Sequence, residues 1–70
     1  MDFFNLRYNN ITIPLNAERG SEAVREATNE LSWIAETTKN AEVEVLGFRG
    51  GKSFVIAQNE LKDGKLGKWR

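Results

Sequence analysis

An α+β domain is what this sequence predicts: a single helix packed on an antiparallel sheet, in the order ββαββ with a further short strand at the end. Three observations carry that expectation. Only one stretch, Ser21 to Thr38, has helical apolar spacing. Two tight-turn signals, Asn9-Asn10 and Gly50-Gly51, each sit between apolar runs. And 70 residues, 40% of them hydrophobic, suffice for one small domain spanning 1–70 and no more.

The N-terminal runs FFNLRY and ITIPL flank Asn9-Asn10, and asparagine tolerates the positive φ that a two-residue turn demands. Such a turn sets Tyr8 opposite Ile11, Leu6 opposite Ile13 and Phe4 opposite Leu15, all apolar and all on one face. Pro14 falls where its missing N–H would point away from the first strand, which makes the second strand a sheet edge. In the helix, Val24, Ala27, Leu31 and Ile34 recur at spacings of three and four, with Ala23 and Ala35 beside them, and form one stripe. Gly20-Ser21 is the expected N-cap, and Lys39-Asn40 suits the negative end of the dipole.

After the helix, Glu42 to Phe48 and Ser53 to Asn59 flank Gly50-Gly51. Counting back from that turn pairs Gly47 with Phe54, Val45 with Ile56 and Val43 with Gln58 as the core face, with the Phe54 ring over Gly47. Leu46, Phe48, Val55 and Ala57 then fall on the other face. One helix covers one side of a sheet, so that second face needs the N-terminal hairpin or a partner chain as its cover. The Asp63-Gly64 turn starts a last strand, with Leu61 opposite Leu66 and Trp69 beside Gln58; the alternative is a mobile end, given Gly64 and Gly67.

Composition excludes much chemistry. Without cysteine or histidine there are no disulfides, no thiolate nucleophile, no Cys/His zinc site and no imidazole proton shuttle. The aspartates, Asp2 and Asp63, lie near chain ends and no serine has a visible base, so a non-enzyme without cofactor or metal is expected. The Met1-Asp2 start lacks a basic region leading into an apolar run, and no stretch is long enough to span a bilayer; a cytoplasmic protein with no membrane role is the expectation.

Charge sums to zero but is segregated. Residues 16–48 hold seven acids against three bases, and residues 49–70 hold six bases against two acids. On about 100° per residue, Trp33 lies opposite the apolar stripe, near the ridge Glu22, Glu26 and Glu30. An outward tryptophan among carboxylates suits a partner with a basic surface; alternatively an N-terminal aromatic or the tail covers the indole, and the acids are a solvated face beside Arg25. In the tail, Lys62, Lys65, Lys68, Trp69 and Arg70 interleave cations with an aromatic, as nucleic-acid grips do.

The run GSEAVREATNEL leading into EVEVLGFRGGKSFVIA resembles, in layout, the helix-then-hairpin of dodecins, which are small flavin-binding oligomers, and of small phage inhibitors such as anti-CRISPR proteins. Dodecins carry a flavin-stacking Trp at the helix-to-strand junction, where this chain has Thr37 to Ala41, so the resemblance implies no flavin here.

The expectation is therefore a small protein-binding module, of the kind phages and mobile elements use as inhibitors or accessory proteins. Trp33 is its anchor and Glu26 and Glu30 its charge complement. Leu46, Phe48 and Val55 form either a dimer contact or the seat of the N-terminal hairpin. The alternatives are a nucleic-acid-binding module using Lys62, Lys65, Lys68, Trp69 and Arg70, and a structural homo-oligomer.

Overall fold

Residues 3–70 are described by the computed structural model; Met1 and Asp2, on which the expectation about a secretory signal rests, lie outside them. The chain runs β1 (Phe3–Tyr8), β2 (Ile11–Leu15), α1 (Gly20–Ile34), β3 (Ala41–Arg49), β4 (Lys52–Lys62) and β5 (Lys65–Leu66). The sheet order is β2-β1-β3-β4-β5, with every neighbouring pair antiparallel. No helix among the described residues is long and apolar enough to cross a membrane.

The first hairpin forms in the expected register: Tyr8 faces Ile11, Leu6 faces Ile13 and Phe4 faces Leu15. Asn9 and Asn10 both take positive φ, at 45° and 64°, as a turn matched to strand twist requires. β2 is an edge strand, which Pro14 permits. The hairpin does not fold over the sheet. Its β1 pairs with β3, Leu6 against Val45 and Phe4 against Gly47, so the hairpin extends the sheet in its own plane. Of the two covers expected for the second sheet face, the hairpin is not one: backbone pairing along a nine-residue β3 satisfies more polar groups than face packing would.

The helix is capped one residue before the expected Gly20-Ser21 and begins at Gly20. Arg19 is the N-cap, without a side-chain hydrogen bond, and its carbonyl accepts the first helical bond from Ala23 N–H at 2.9 Å. The helix also ends at Ile34 rather than Thr38. Glu36 N–H reaches Trp33 O at 3.2 Å and Thr37 N–H reaches Ile34 O at 3.1 Å, closing a tighter last turn. Lys39 Nζ donates to Ala35 O at 3.2 Å, a cation on an orphan helical carbonyl. Ala23, Ala27 and Leu31 are buried, with Val24 and Ile34 half-covered on either side. Two alanines in that stripe let the backbone lie close to the strands. Beneath it sit Phe4, Leu6, Val43, Val45, Ala57 and Leu61.

Two extra residues correct the expected register of the C-terminal half. Gly47 faces Phe54 as expected, but the ladder then shifts: Val45 faces Ala57 and Val43 faces Asn59, leaving Ile56 as a bulge. The expected pairs Val45–Ile56 and Val43–Gln58 do not form. Phe54 and Leu61 are seven residues apart, an odd number, so strict alternation would send them to opposite faces. One bulged residue brings both to the helix side. Ile56 itself packs on the core, within 3.6 Å of where a side chain at Gly20 would start, and Ala57 is buried there rather than on the far face.

The second extra residue lies in the tail. Leu61 faces Leu66 as expected, and Gly67 N–H reaches Glu60 O at 3.1 Å. Gln58 then exchanges both backbone bonds with Arg70, at 3.0 and 2.9 Å, so Lys68 and Trp69 together oppose Asn59. A regular register would have put Trp69 beside Gln58 on the open face. The bulge turns it to the helix. The gap is filled by Asn59, 2% exposed, whose Nδ2 donates to Gly67 O at 3.1 Å while Oδ1 accepts from Glu60 N–H at 2.7 Å. Both polar ends of this buried amide are thereby satisfied.

The Phe54 ring lies over Gly47, where an added Cβ would sit 2.6 Å from a ring carbon. Gly47→Ala is therefore expected to displace the ring and lower stability by roughly 1–3 kcal/mol. In the Phe54→Ala background the same change should cost far less, a coupling read from urea unfolding of both singles and the double.

Candidate functional site

Trp33 projects from the last turn of α1, two residues past the buried Leu31, and its side chain is 70% exposed. Neither an N-terminal aromatic nor the tail covers it. On the helix wheel Glu22, Glu26 and Glu30 stand on the same flank; Glu26 is half-buried and the other two are exposed. Trp33, Glu26 and Glu30 are thus brought into one neighbourhood by helical spacing alone.

Leu46, Phe48 and Val55 lie elsewhere. They share the sheet face that α1 does not cover, on the opposite side of the molecule from the helix, so one compact partner surface cannot reach them and Trp33 together. Leu46 is already covered, at 7% exposure, flanked in the ladder by Asn5 and Val55. What remains accessible is Val55, 46% exposed, and half-covered Phe48. Phe3, 62% exposed and paired with Phe48, completes this patch. No local pattern in the sequence points to Phe3, because its place depends on the pairing of β1 with the distant β3. Beyond the apolar patch the same face carries Arg7 and Glu44, cross-strand partners joined by an ion pair, with Arg7 Nε also donating to Glu44 Oε1 at 3.1 Å.

The tail residues divide. Lys62, Lys65, Lys68 and Arg70 are exposed around the β4–β5 ribbon. Trp69 is not presented with them. Its Nε1 donates to Thr28 Oγ1 at 3.0 Å, the Thr28 hydroxyl donates onward to Val24 O at 2.9 Å, and the ring packs on the core. An indole clipped to the helix flank is poorly placed as a stacking platform for bases. The turn before it is fastened too: Gly64 N–H reaches Lys39 O at 2.9 Å and Asp63 N–H reaches Asn40 Oδ1 at 3.3 Å. The 62–70 segment is thus an ordered part of the fold.

An open groove of about 530 Å³ lies at the tip of the first hairpin, lined by Arg7, Tyr8, Asn9, Asn10, Glu42 and Glu44. Its cation and one of its two carboxylates are already committed to each other. Among the described residues no three acids converge as a metal cage would require.

The Trp69–Thr28 clip makes a checkable contribution to stability. Trp69→Phe, which keeps the ring and loses the donor, should cost about 1 kcal/mol in denaturant unfolding. Thr28→Val should cost a similar amount, and the double variant little more than either single. No protein-family model, curated protein or solved structure matches this chain.

Proposed function

We propose that this chain is a small protein-binding module that acts by surface contact, with Trp33 as its anchor and Glu26 and Glu30 as the charge complement to a basic partner surface. The observation that carries this reading is the 70% exposure of Trp33 on a helix whose opposite stripe is fully used in the core. Burying a large rigid ring at an interface yields much contact area for little conformational entropy, which is why tryptophan dominates binding hot spots and is scarce on idle surface. The carboxylates beside it steer and orient a cationic partner rather than supply most of the affinity. Such a contact would block whatever the partner's basic surface otherwise holds, so the reading extends naturally to an inhibitor or accessory protein.

A second reading, a homo-oligomer, draws on the Phe3, Phe48 and Val55 patch. It requires a solution mass above that of one chain at micromolar concentration, lowered to the monomer by Val55→Glu; sedimentation equilibrium decides it.

For the leading reading, the wild-type chain and Trp33→Ala are immobilised in parallel and used to capture proteins from the native host. A specific partner should bind the variant at least about thirtyfold more weakly, the cost of truncating a hot-spot tryptophan. Trp33→Ala should leave unfolding free energy within roughly 0.5 kcal/mol of wild type, since the ring supports nothing in the fold. Glu26→Gln with Glu30→Gln should slow association and flatten its salt dependence. Equal capture by both chains removes Trp33 from the interface.

A further inference from the structure

Among the described residues, the N-terminal half of β4 leaves its outer edge unpaired. In an antiparallel ladder, residues alternate between bonding one neighbour and pointing their N–H and C=O to the other side. Arg49 and Lys52 flank the two-residue Gly50-Gly51 turn and form the first bonded pair, so Ser53 and Val55 direct both backbone groups away from β3. Beyond the Ile56 bulge the outward positions are Gln58 and Glu60, and these are taken by Arg70 and Gly67. Among the described residues nothing pairs with the outer side of Ser53 or Val55.

The two sheet edges are not equivalent. On β2, counting from the Tyr8–Ile11 pair, the outward residues are Thr12 and Pro14, and proline has no N–H to offer. That edge is guarded against another strand. The β4 edge has no proline, and large side chains stand beside it on both faces: Val55 on the open face, Phe54 and Ile56 on the helix face. A strand laid here would gain ladder bonds and apolar contact with alternate side chains.

Charge selects the occupant. Lys52 stands at one end of the free edge and Lys68 at the other, both exposed; Arg70, beside Lys68, shares a concavity with Glu42 and Glu44, and the first acid after Lys52 is Glu60, beyond Gln58 where the tail already pairs. A second copy added antiparallel would bring Lys52 of each chain toward the Lys68–Arg70 end of its mate, opposing like charges. An extended segment with carboxylates at its ends meets cations at both. We propose that the Ser53–Val55 edge of β4 is a strand-addition site for an extended segment of a partner protein, about six residues long, apolar in its middle and acidic at both ends. This site does not depend on the reading of Trp33.

The test uses the full chain, ¹⁵N-labelled, titrated with the blocked peptide EEVTVTEE and, separately, with KKVTVTKK. The acidic peptide should shift the Ser53 and Val55 amides and slow their hydrogen exchange about tenfold or more; the basic peptide should do neither. Val55→Pro removes an outward donor at a position that makes no ladder bond to β3, and should abolish the response while leaving the two indole signals in place. If that variant does not fold, Lys52→Glu with Lys68→Glu serves instead and should transfer the preference to the basic peptide. Trp33→Ala should respond like wild type, which separates this site from the helix surface. The proposal is overturned by equal response to both peptides, by shifts mapping away from β4, or by an unaltered preference in the double charge variant. It is also overturned by protection that grows with chain concentration in the absence of peptide, or by stronger shifts of the same amides with oligothymidylate.

Discussion

One helix must cover one face of a five-stranded sheet, and the strands alternate their side chains with a period of two, so the apolar residues of each strand must agree in parity to reach the same core. The N-terminal strands agree by themselves: Phe4, Leu6 and Tyr8 share one face with Leu15, Ile13 and Ile11. The C-terminal strands do not. Phe54 and Leu61 differ by an odd number of residues, and so do Leu66 and Trp69. Each conflict is resolved by one extra residue, at Ile56 and in the Lys68–Trp69 step. The alternative to each bulge is a large apolar group turned into water, at about 1.5–3 kcal/mol apiece, more than the ladder disruption of one residue costs.

The second bulge ties several features together. By turning Trp69 toward α1 it lets the indole reach Thr28, and by opening a gap in the ladder it creates the slot that Asn59 fills. The β4–β5 turn meanwhile bonds to Lys39 and Asn40, just past the helix. The helix is therefore held along its flank by the tail and near its end by a turn, in addition to the core beneath it. A helix fixed at several points presents its outward residues in one arrangement. On the proposed reading, Trp33, Glu26 and Glu30 would meet a partner from a backbone already held in place, which lowers the ordering cost of association.

Charge follows the same division of the molecule. Glu22, Glu26 and Glu30 line the outer helix flank, Glu42, Glu44 and Glu60 stand on the uncovered sheet face together with the apolar patch of Phe3, Phe48 and Val55, and six bases surround β4, β5 and the tail. These surfaces point in different directions. A chain of zero net charge thus offers distinct electrostatic faces, which favours oriented encounter over non-specific adhesion.

The sequence alone determined the elements whose signals are local. Asn9-Asn10 and Gly50-Gly51 specify turns through positive φ, the three-and-four spacing specifies α1, and together they carry the first four strands, the first hairpin's register and the outward aim of Trp33, because each depends on residues within a few positions of one another. Only the tertiary structure decided that β1 lies beside β3, that Ile56 bulges, and that Trp69 faces the helix. These depend on which strands share one helix as their cover. That is a competition among contacts distant in sequence, and parity along a single strand states the conflict without saying where the chain will relieve it.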